Sequence, residues 1–259
     1  MELKPLRVDR KLTLYVKNIF GFENKEEDKQ TRLPFYADGY PGIIFQQAVN
    51  GVFLLPKNKL LSDFFLYGQT IHPIELSIAG PFRLIVFQLY PFAAKTLIGI
   101  NPKRLNDDCF DLNLLANVNV RQTIAQLTST SEFSVQKEIL SCFLTTLIQQ
   151  SNVHPDQRIH LAISLILNSK GKISLTDLRE HLHVTERTLE RQFSEQIGIS
   201  PKQFVKIIQF KTSLNQLSEE AYARLSDIAY ENEYADQSHF IRMFKKFTGK
   251  TPSEFQKTE

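Results

Sequence analysis

Apolar and polar positions alternate differently in the two halves of the chain. In the first, short apolar runs at 12–16, 42–47, 51–55, 64–67, 71–79 and 82–90 are separated by turn residues and read as strands. Pro41-Gly42, Asn50-Gly51, Lys57-Asn58 and Gly80-Pro81 punctuate them as hairpin turns would, which predicts a β-sandwich or barrel. A short helix and a loop at Asn101-Pro102 are expected between Pro91 and Asp111. The period then lengthens. Within 132–150, Val135, Ile139, Leu140, Phe143, Leu144, Leu147 and Ile148 recur at the spacing of one helical stripe, and a shorter helix over about 117–127 carries Val118, Val120, Ile124 and Leu127. This pair either packs on the β-domain or forms a dimer seam. Ser151-Asn152-Val153-His154-Pro155 breaks the second helix and reads as a linker.

The second half contains an internal repeat. Sliding the sequence by 51 residues aligns Leu189 with Phe240, Arg191 with Arg242, Phe193 with Phe244, Gly198 with Gly249, Ser200 with Thr251, Pro201 with Pro252 and Phe204 with Phe255. Each copy has an Arg between apolar residues on a helix, Gly to end that helix, and Ser or Thr followed by Pro to open the next. A short helix precedes each: 174–182, opened by Ser174, and one opened by Ser226-Asp227. Thr185 and Asp236 then cap second helices at 186–197 and 237–248. Helix, tight turn, helix is the helix-turn-helix plan, here in two copies.

The second helix of each pair buries one face, with Leu189 and Phe193 in the first and Phe240, Phe244 and Phe247 in the second. Opposite them lie Arg187, Glu190 and Arg191, and Gln237, Ser238 and Arg242, which are the candidates for base-edge contacts. Arg can grip guanine O6 and N7 with two hydrogen bonds, and Gln can do the same for adenine. Thr185, Lys202, Lys206, His239, Lys245, Lys246 and Lys250 are the candidates for phosphate contacts. The charges would also suit a solvated helix face, and Arg191 has Glu195 at ion-pairing distance along the helix.

Residues from about 156 to 256 resemble the DNA-binding domain of the AraC/XylS family of bacterial transcription regulators. The resemblance is carried by Val184-Thr185-Glu186-Arg187-Thr188-Leu189-Glu190-Arg191-Gln192-Phe193, by Gly198-Ile199-Ser200-Pro201, and most specifically by the run from Tyr234-Ala235-Asp236-Gln237-Ser238-His239-Phe240 through Lys250-Thr251-Pro252. It implies seven helices in two helix-turn-helix subdomains joined by a long helix over 201–217, with both recognition helices entering neighbouring major-groove segments. Glu233 stands where the family usually has Gly, and Arg179 where it usually has a small Ala. Phe35-Tyr36-Ala37-Asp38-Gly39-Tyr40-Pro41-Gly42-Ile43-Ile44-Phe45 and Gln88-Leu89-Tyr90-Pro91-Phe92-Ala93-Ala94 look similar to the N-terminal domains of an AraC subgroup, which implies a ligand sensor, a dimeriser or both.

Composition narrows the alternatives. The chain has 259 residues, 42% hydrophobic and 23% charged, enough for two globular domains. No apolar run reaches the roughly 18 residues of a membrane span, and the N-terminal segment lacks a signal-like stretch, so a cytoplasmic, nucleoid-associated protein without a membrane partner is expected. Net charge is only +3, so any attraction to phosphate must be concentrated on one face. Of the 28 Phe and Tyr residues, 18 precede residue 151, and these aromatics either line a pocket for an apolar or planar effector or form plain core. His72, with Glu75 nearby, makes no cupin-type metal site, and no nucleophile elbow, Walker loop or dinucleotide fingerprint occurs. Cys109 and Cys142 lack the spacing of a zinc, redox or alkyl-acceptor site. No cofactor, metal or catalytic residue is assigned.

The expected fold is α+β: a β sandwich or barrel-like sensor domain at 1–116, a helical pair at 117–150, a linker at 151–155 and an all-α DNA-binding domain at 156–259. The expected function is sequence-specific regulation of transcription, with promoter DNA and RNA polymerase as partners, a homodimer as a possible form, and an effector whose binding residues are unassigned. The alternative is a ligand-binding or catalytic β-domain to which the DNA module is secondary.

Overall fold

The computed structural model describes residues 2–115, 119–151, 156–219, 222 and 224–257. Asn117 and Val118, expected at the start of the shorter helix, and the expected linker residues 152–155 lie outside the described residues.

The first half is a two-sheet sandwich with a helical layer. The strands are β1 (Glu2–Leu6), β2 (Val16–Asn24), β3 (Gln30–Phe35), β4 (Gly42–Ala48), β5 (Val52–Leu55), β6 (Lys59–Leu61), β7 (Phe64–Tyr67), β8 (Ile74–Ala79), β9 (Phe82–Leu89) and β10 (Cys109–Asp111). One sheet has the order β1-β2-β9-β4-β7-β10, the other β3-β8-β5-β6. Ile44, Phe65, Leu84 and Val86 of the larger sheet meet Val52, Leu54, Leu76 and Ile78 of the smaller. On the opposite face, Ile43, Phe45, Phe64, Ile85 and Phe87 join the core beneath the helices. Because the larger sheet is covered on both faces, its central strands read as continuous apolar runs.

Several strand expectations need correcting. Residues 10–12 form a 3₁₀ turn, and the strand expected at 12–16 starts only at Val16 and runs to Asn24. β1 and β3 are sheet edges carrying Pro5 and Pro34, and edges tolerate proline, which is why neither run had the look of a strand. Of the expected hairpins, only the one at Lys57-Asn58 joins paired strands, β5 and β6. Asn50-Gly51 and Gly80-Pro81 instead carry the chain from one sheet to the other, as sandwich corners. Residues 91–111 hold two short helical turns, Ala94–Ile98 and Pro102–Leu105, ahead of β10.

Helices α1 (Val120–Thr128) and α2 (Phe133–Gln150) pack on the larger sheet. Phe143 meets Phe64 edge-on at 5.1 Å, and Phe133 sits over Gly21, where a side chain would collide with its ring. Leu140, Leu144 and Leu147 complete the buried side, whereas Val135, expected in the stripe, is exposed.

The second half folds into α3 (Gln157–Asn168), α4 (Leu175–Leu182), α5 (Glu186–Gln196), α6 (Pro201–Ser218), α7 (Leu225–Glu231), α8 (Gln237–Thr248) and α9 (Pro252–Gln256). Side chains of Asp156, Ser174, Thr185, Ser200, Asp236 and Thr251 accept hydrogen bonds from the first-turn amides of their helices, which fixes each start locally. α7 departs from this: it begins at Leu225, where the Arg224 amide donates to Asp227, and Ser226 is already helical. One apolar cluster runs through both halves. Tyr36 packs on Phe255 at 5.5 Å, Phe92 on His160 at 3.8 Å, and the Asn106 amide donates to the Gly198 carbonyl at 2.9 Å.

Candidate nucleic-acid interface

In both helix-turn-helix units the turn is made by one left-handed residue. His183 has φ 51° after α4, and Glu233 has φ 59° after α7. The next amide closes the turn backwards, from Val184 to the Arg179 carbonyl and from Tyr234 to the Ala229 carbonyl. The two copies therefore align at 50 residues through the first helix and at 51 from the N-cap onward; Ala235 is the extra residue. Arg179 thus corresponds to buried Ala229, and the structure shows how the larger residue is housed. Its guanidinium donates to the Leu175 carbonyl and Thr176 Oγ1, both at 3.3 Å, and meets Glu186 of α5 at 3.4 Å.

The second helix of each unit is seated by an apolar face. Leu189 and Phe193 of α5 are buried, as are Phe240, Phe244 and Phe247 of α8, and Phe210 of α6 packs edge-on against Phe244 at 5.5 Å and tilted against Phe247 at 4.9 Å. The outward face of α5 presents exposed Arg187 and Arg191, with half-buried Glu190 between them. Arg191 pairs with Glu195 at 3.0 Å, both side chains being more than half exposed. Such a pair is worth at most about 1 kcal/mol, so a base edge could displace it at small cost. On α8, Gln237, Ser238, Arg242, Lys245 and Lys246 are all exposed.

The remaining candidates are placed less uniformly. Thr185 spends its hydroxyl oxygen on the Thr188 amide as the α5 cap. His239 is partly buried: its Nδ1 accepts from the Ala235 amide at 3.3 Å and its ring meets Tyr234, so it braces the turn. Lys202 is exposed in the first turn of α6 and Lys206 is half-buried one turn later. Lys250, half-buried, lines a groove against the sandwich with Arg32, Tyr36 and Glu75, apart from the outward face of α8.

The polar braces of the second unit had no motif to announce them. Gln209 donates to the Asn232 carbonyl at 2.6 Å, Asn232 donates to Gln216 at 2.8 Å, and Ser213 meets the Tyr234 hydroxyl at 3.2 Å. Burial pushes the Tyr234 phenol up to about 12. In the first unit, buried Gln192 donates to Asp156 at 2.9 Å, tying α5 to the cap of α3. Only the burial of Gln192, Ser213, Asn232 and Tyr234, invisible in sequence, marks them.

The sandwich holds a cavity of about 330 Å³ between its sheets, lined by Phe20, Phe22, Phe35, Tyr67, Leu76 and Val86, with Asp38 and Gln88 in its wall. A wider cleft of about 1060 Å³ separates the halves, with Lys17, Lys170, Lys172 and Lys211 among its lining. Cys109 is buried, and burial pushes its thiol up to about 12, which leaves little thiolate for nucleophilic chemistry.

Residues 178–258 match the family model of a helix-turn-helix domain, and residues 6–111 that of a domain of unknown function, DUF6597. The transcriptional activator RhaS of Escherichia coli is 22% identical over 148 residues, 53% of this chain and 53% of RhaS. An uncharacterised HTH-type transcriptional regulator of Staphylococcus aureus is 27% identical over 110 residues, 41% of this chain and 14% of that protein. The chain thus spans about half the length of RhaS and a smaller part of the staphylococcal regulator. Among solved structures, ToxT of Vibrio cholerae superposes with a TM-score of 0.52 at 17% identity over 92% of this chain and 98% of its own, and so shares the fold of both halves. ToxT has also been solved bound to (E)-4-(8-methylnaphthalen-1-yl)but-3-enoic acid, a structure that superposes at 0.51 with 15% identity. With the duplicated helix-turn-helix geometry, these likenesses show that residues 178–258 are a helix-turn-helix domain and that the chain is similar to HTH-type transcriptional regulators.

Proposed function

We propose that the protein reads promoter DNA with α5 and α8 and that a small molecule acting on its N-terminal domain sets its activity. The observation that carries the first part is the repeated unit: two capped recognition helices, each with a buried aromatic face and an exposed face bearing Arg. In this scheme Arg187, Arg191, Gln237, Ser238 and Arg242 reach base edges, and Glu190 can accept from a cytosine amine. Lys245, Lys246 and Lys202 meet phosphates. His239 and Lys250, packed against protein, take a smaller share in this scheme. RNA polymerase is the downstream partner in the proposal, a homodimer would read two-fold-related sites, and the cytoplasmic nucleoid is the place of action.

The apolar cavity between the sheets supports the second part, since pockets for small molecules are concave, largely apolar and begin at about 300 Å³. ToxT, which shares the fold, has been solved with a small organic acid bound.

Selection of bound sites from a random duplex library at two salt concentrations tests the proposal. The expected result is a motif with two blocks about one helical turn, roughly 10 bp, apart. Salt-sensitive binding without enrichment, with or without candidate effectors, would sink it, because phosphate contacts alone are unselective.

A further inference from the structure

One loop separates the inter-sheet cavity from the DNA-binding half. Residues 36–41, Tyr36-Ala37-Asp38-Gly39-Tyr40-Pro41, connect β3 to β4. Tyr36 and Asp38 line the cavity. The same loop bears on the second half: Tyr36 meets Phe255 of α9 edge-on, Gly39 presses on Phe204 and Ile208 of α6, and Lys211 of α6 sits over the Tyr40 ring at 4.2 Å. A Cβ on Gly39 would come within 2.9 Å of Ile208, so the backbone there has no slack. Since α6 joins the two helix-turn-helix units, a contact made inside the cavity is one loop thickness from the element that orients both.

The chemistry of the lining selects the occupant. Asp38 Oδ1 accepts from the Tyr40 amide at 2.8 Å and Oδ2 from the Gln88 side chain at 2.5 Å. An ionised carboxylate has about four acceptor sites, so capacity remains. Asp38 is deep enough for burial to push its pKa up, against the pull of Lys211 and these donors, yet it keeps some accessible surface. Around it stand the rings of Phe20, Phe22, Phe35, Tyr36 and Tyr67, and among the described residues the lining has no Lys, Arg or His. An anionic ligand would meet Asp38 with no countercharge on the cavity side, in a medium where like charges repel strongly. A cation gains the carboxylate and the ring faces together.

We propose that this cavity binds a small molecule with an aromatic or aliphatic body and one protonated amine, that the amine pairs with Asp38, and that occupancy is relayed through residues 36–41 to α6. The inference rests on the ligand control proposed above and names its chemical class.

The test uses the full chain and two probe sets in calorimetry at pH 7. One set is 2-(naphthalen-1-yl)ethylamine with the matching acid and alcohol; the other is 4-phenylbutylamine with 4-phenylbutyric acid. An amine is expected to bind at least tenfold more tightly than its acid. Asp38→Asn should lower amine affinity at least tenfold while leaving the alcohol within twofold. Leu76→Phe, which fills the cavity and leaves Asp38 in place, should abolish amine binding and serves if the first variant does not fold. In parallel, the amine should change the affinity of the wild-type protein for a selected duplex at least threefold. Acids binding as tightly as amines, no probe binding, Asp38→Asn or Leu76→Phe keeping wild-type amine affinity, or bound amine leaving DNA affinity unchanged would each overturn the inference. If a motif is selected but no amine binds, only the amine inference fails. If no duplex is selected under any condition, the regulator proposal fails whatever calorimetry shows.

Discussion

At the scale of single residues, the two turns hold non-glycine residues in the left-handed region, His183 at φ 51° and Glu233 at φ 59°. A side chain there costs about 1–2 kcal/mol, part of which glycine recovers after its own entropic penalty. Glu233→Gly is therefore expected to stabilise the protein by up to about 1 kcal/mol, seen as a higher thermal midpoint; an unchanged or lower midpoint would show that the Glu side chain compensates. The strain at 233 was legible in the sequence, because Glu stands where the resembled family usually has Gly; the left-handed His183 was not. The accommodation of Arg179 was not, since its exit toward Glu186 depends on where α5 crosses α4. For DNA, Arg191→Ala and Arg242→Ala should each cost about 1–3 kcal/mol of specific binding in fluorescence anisotropy, whereas Lys245→Ala should weaken all sequences alike. If both Arg variants bound the selected site like wild type, the assignment of the recognition faces would be wrong.

At the scale of elements, the repeat places equivalent glycines after α5 and α8, Gly198 at φ 91° and Gly249 at φ 79°. Their surroundings differ. A Cβ at Gly198 would lie 2.6 Å from the Pro102 carbonyl carbon of the sandwich, while at Gly249 the nearest atom, of Pro73, is 3.8 Å away. Gly249→Ala should cost about 1–2 kcal/mol from backbone strain alone. Gly198→Ala should add about 1–3 kcal/mol of overpacking, so its denaturation midpoint should fall further. Equal losses would mean that the 3₁₀ turn at Pro102–Leu105 yields freely. The helices were readable because caps and apolar stripes are local. The sandwich corners at Asn50-Gly51 and Gly80-Pro81 were misread as hairpins because a turn dipeptide states that the chain reverses and is silent on which sheet receives it.

At the scale of the whole molecule, Asp108 clasps the open side of the sandwich. It precedes β10, the edge of one sheet, and pairs with Lys57 at 2.9 Å and with Lys59 of β6, the edge of the other, at 2.7 Å. Hydrogen bonds from the two ammonium groups outweigh the effect of burial and hold the carboxyl at about 2. Because the folded-state value is depressed, the clasp stabilises the protein fully above the unfolded carboxylate value, roughly 4, and its contribution is lost as pH falls toward 2. With both lysines partly exposed, the contribution is about 1 kcal/mol. Urea midpoints measured from pH 6 down to pH 3 should fall more steeply in the wild type than in Lys57→Met/Lys59→Met, and parallel curves would remove the clasp from the account.

The sequence by itself determined the second half almost completely: the duplicated unit, its caps, its buried aromatic faces and the candidate Arg and Lys residues follow from signals within a few helical turns. It also supplied the Phe35–Phe45 run and Gln88 as a paired pattern, without saying why they belong together. Only tertiary structure decided that Gln88 of β9 donates to Asp38, that Asp38 lines a cavity, and that Gly39 and Tyr40 bear on α6. Gln88 lies 50 residues from Asp38, and Phe204 lies more than 160 from Gly39. Period and propensity report which side of an element is apolar, and contacts over such separations are chosen by how whole layers fit once that side has been buried.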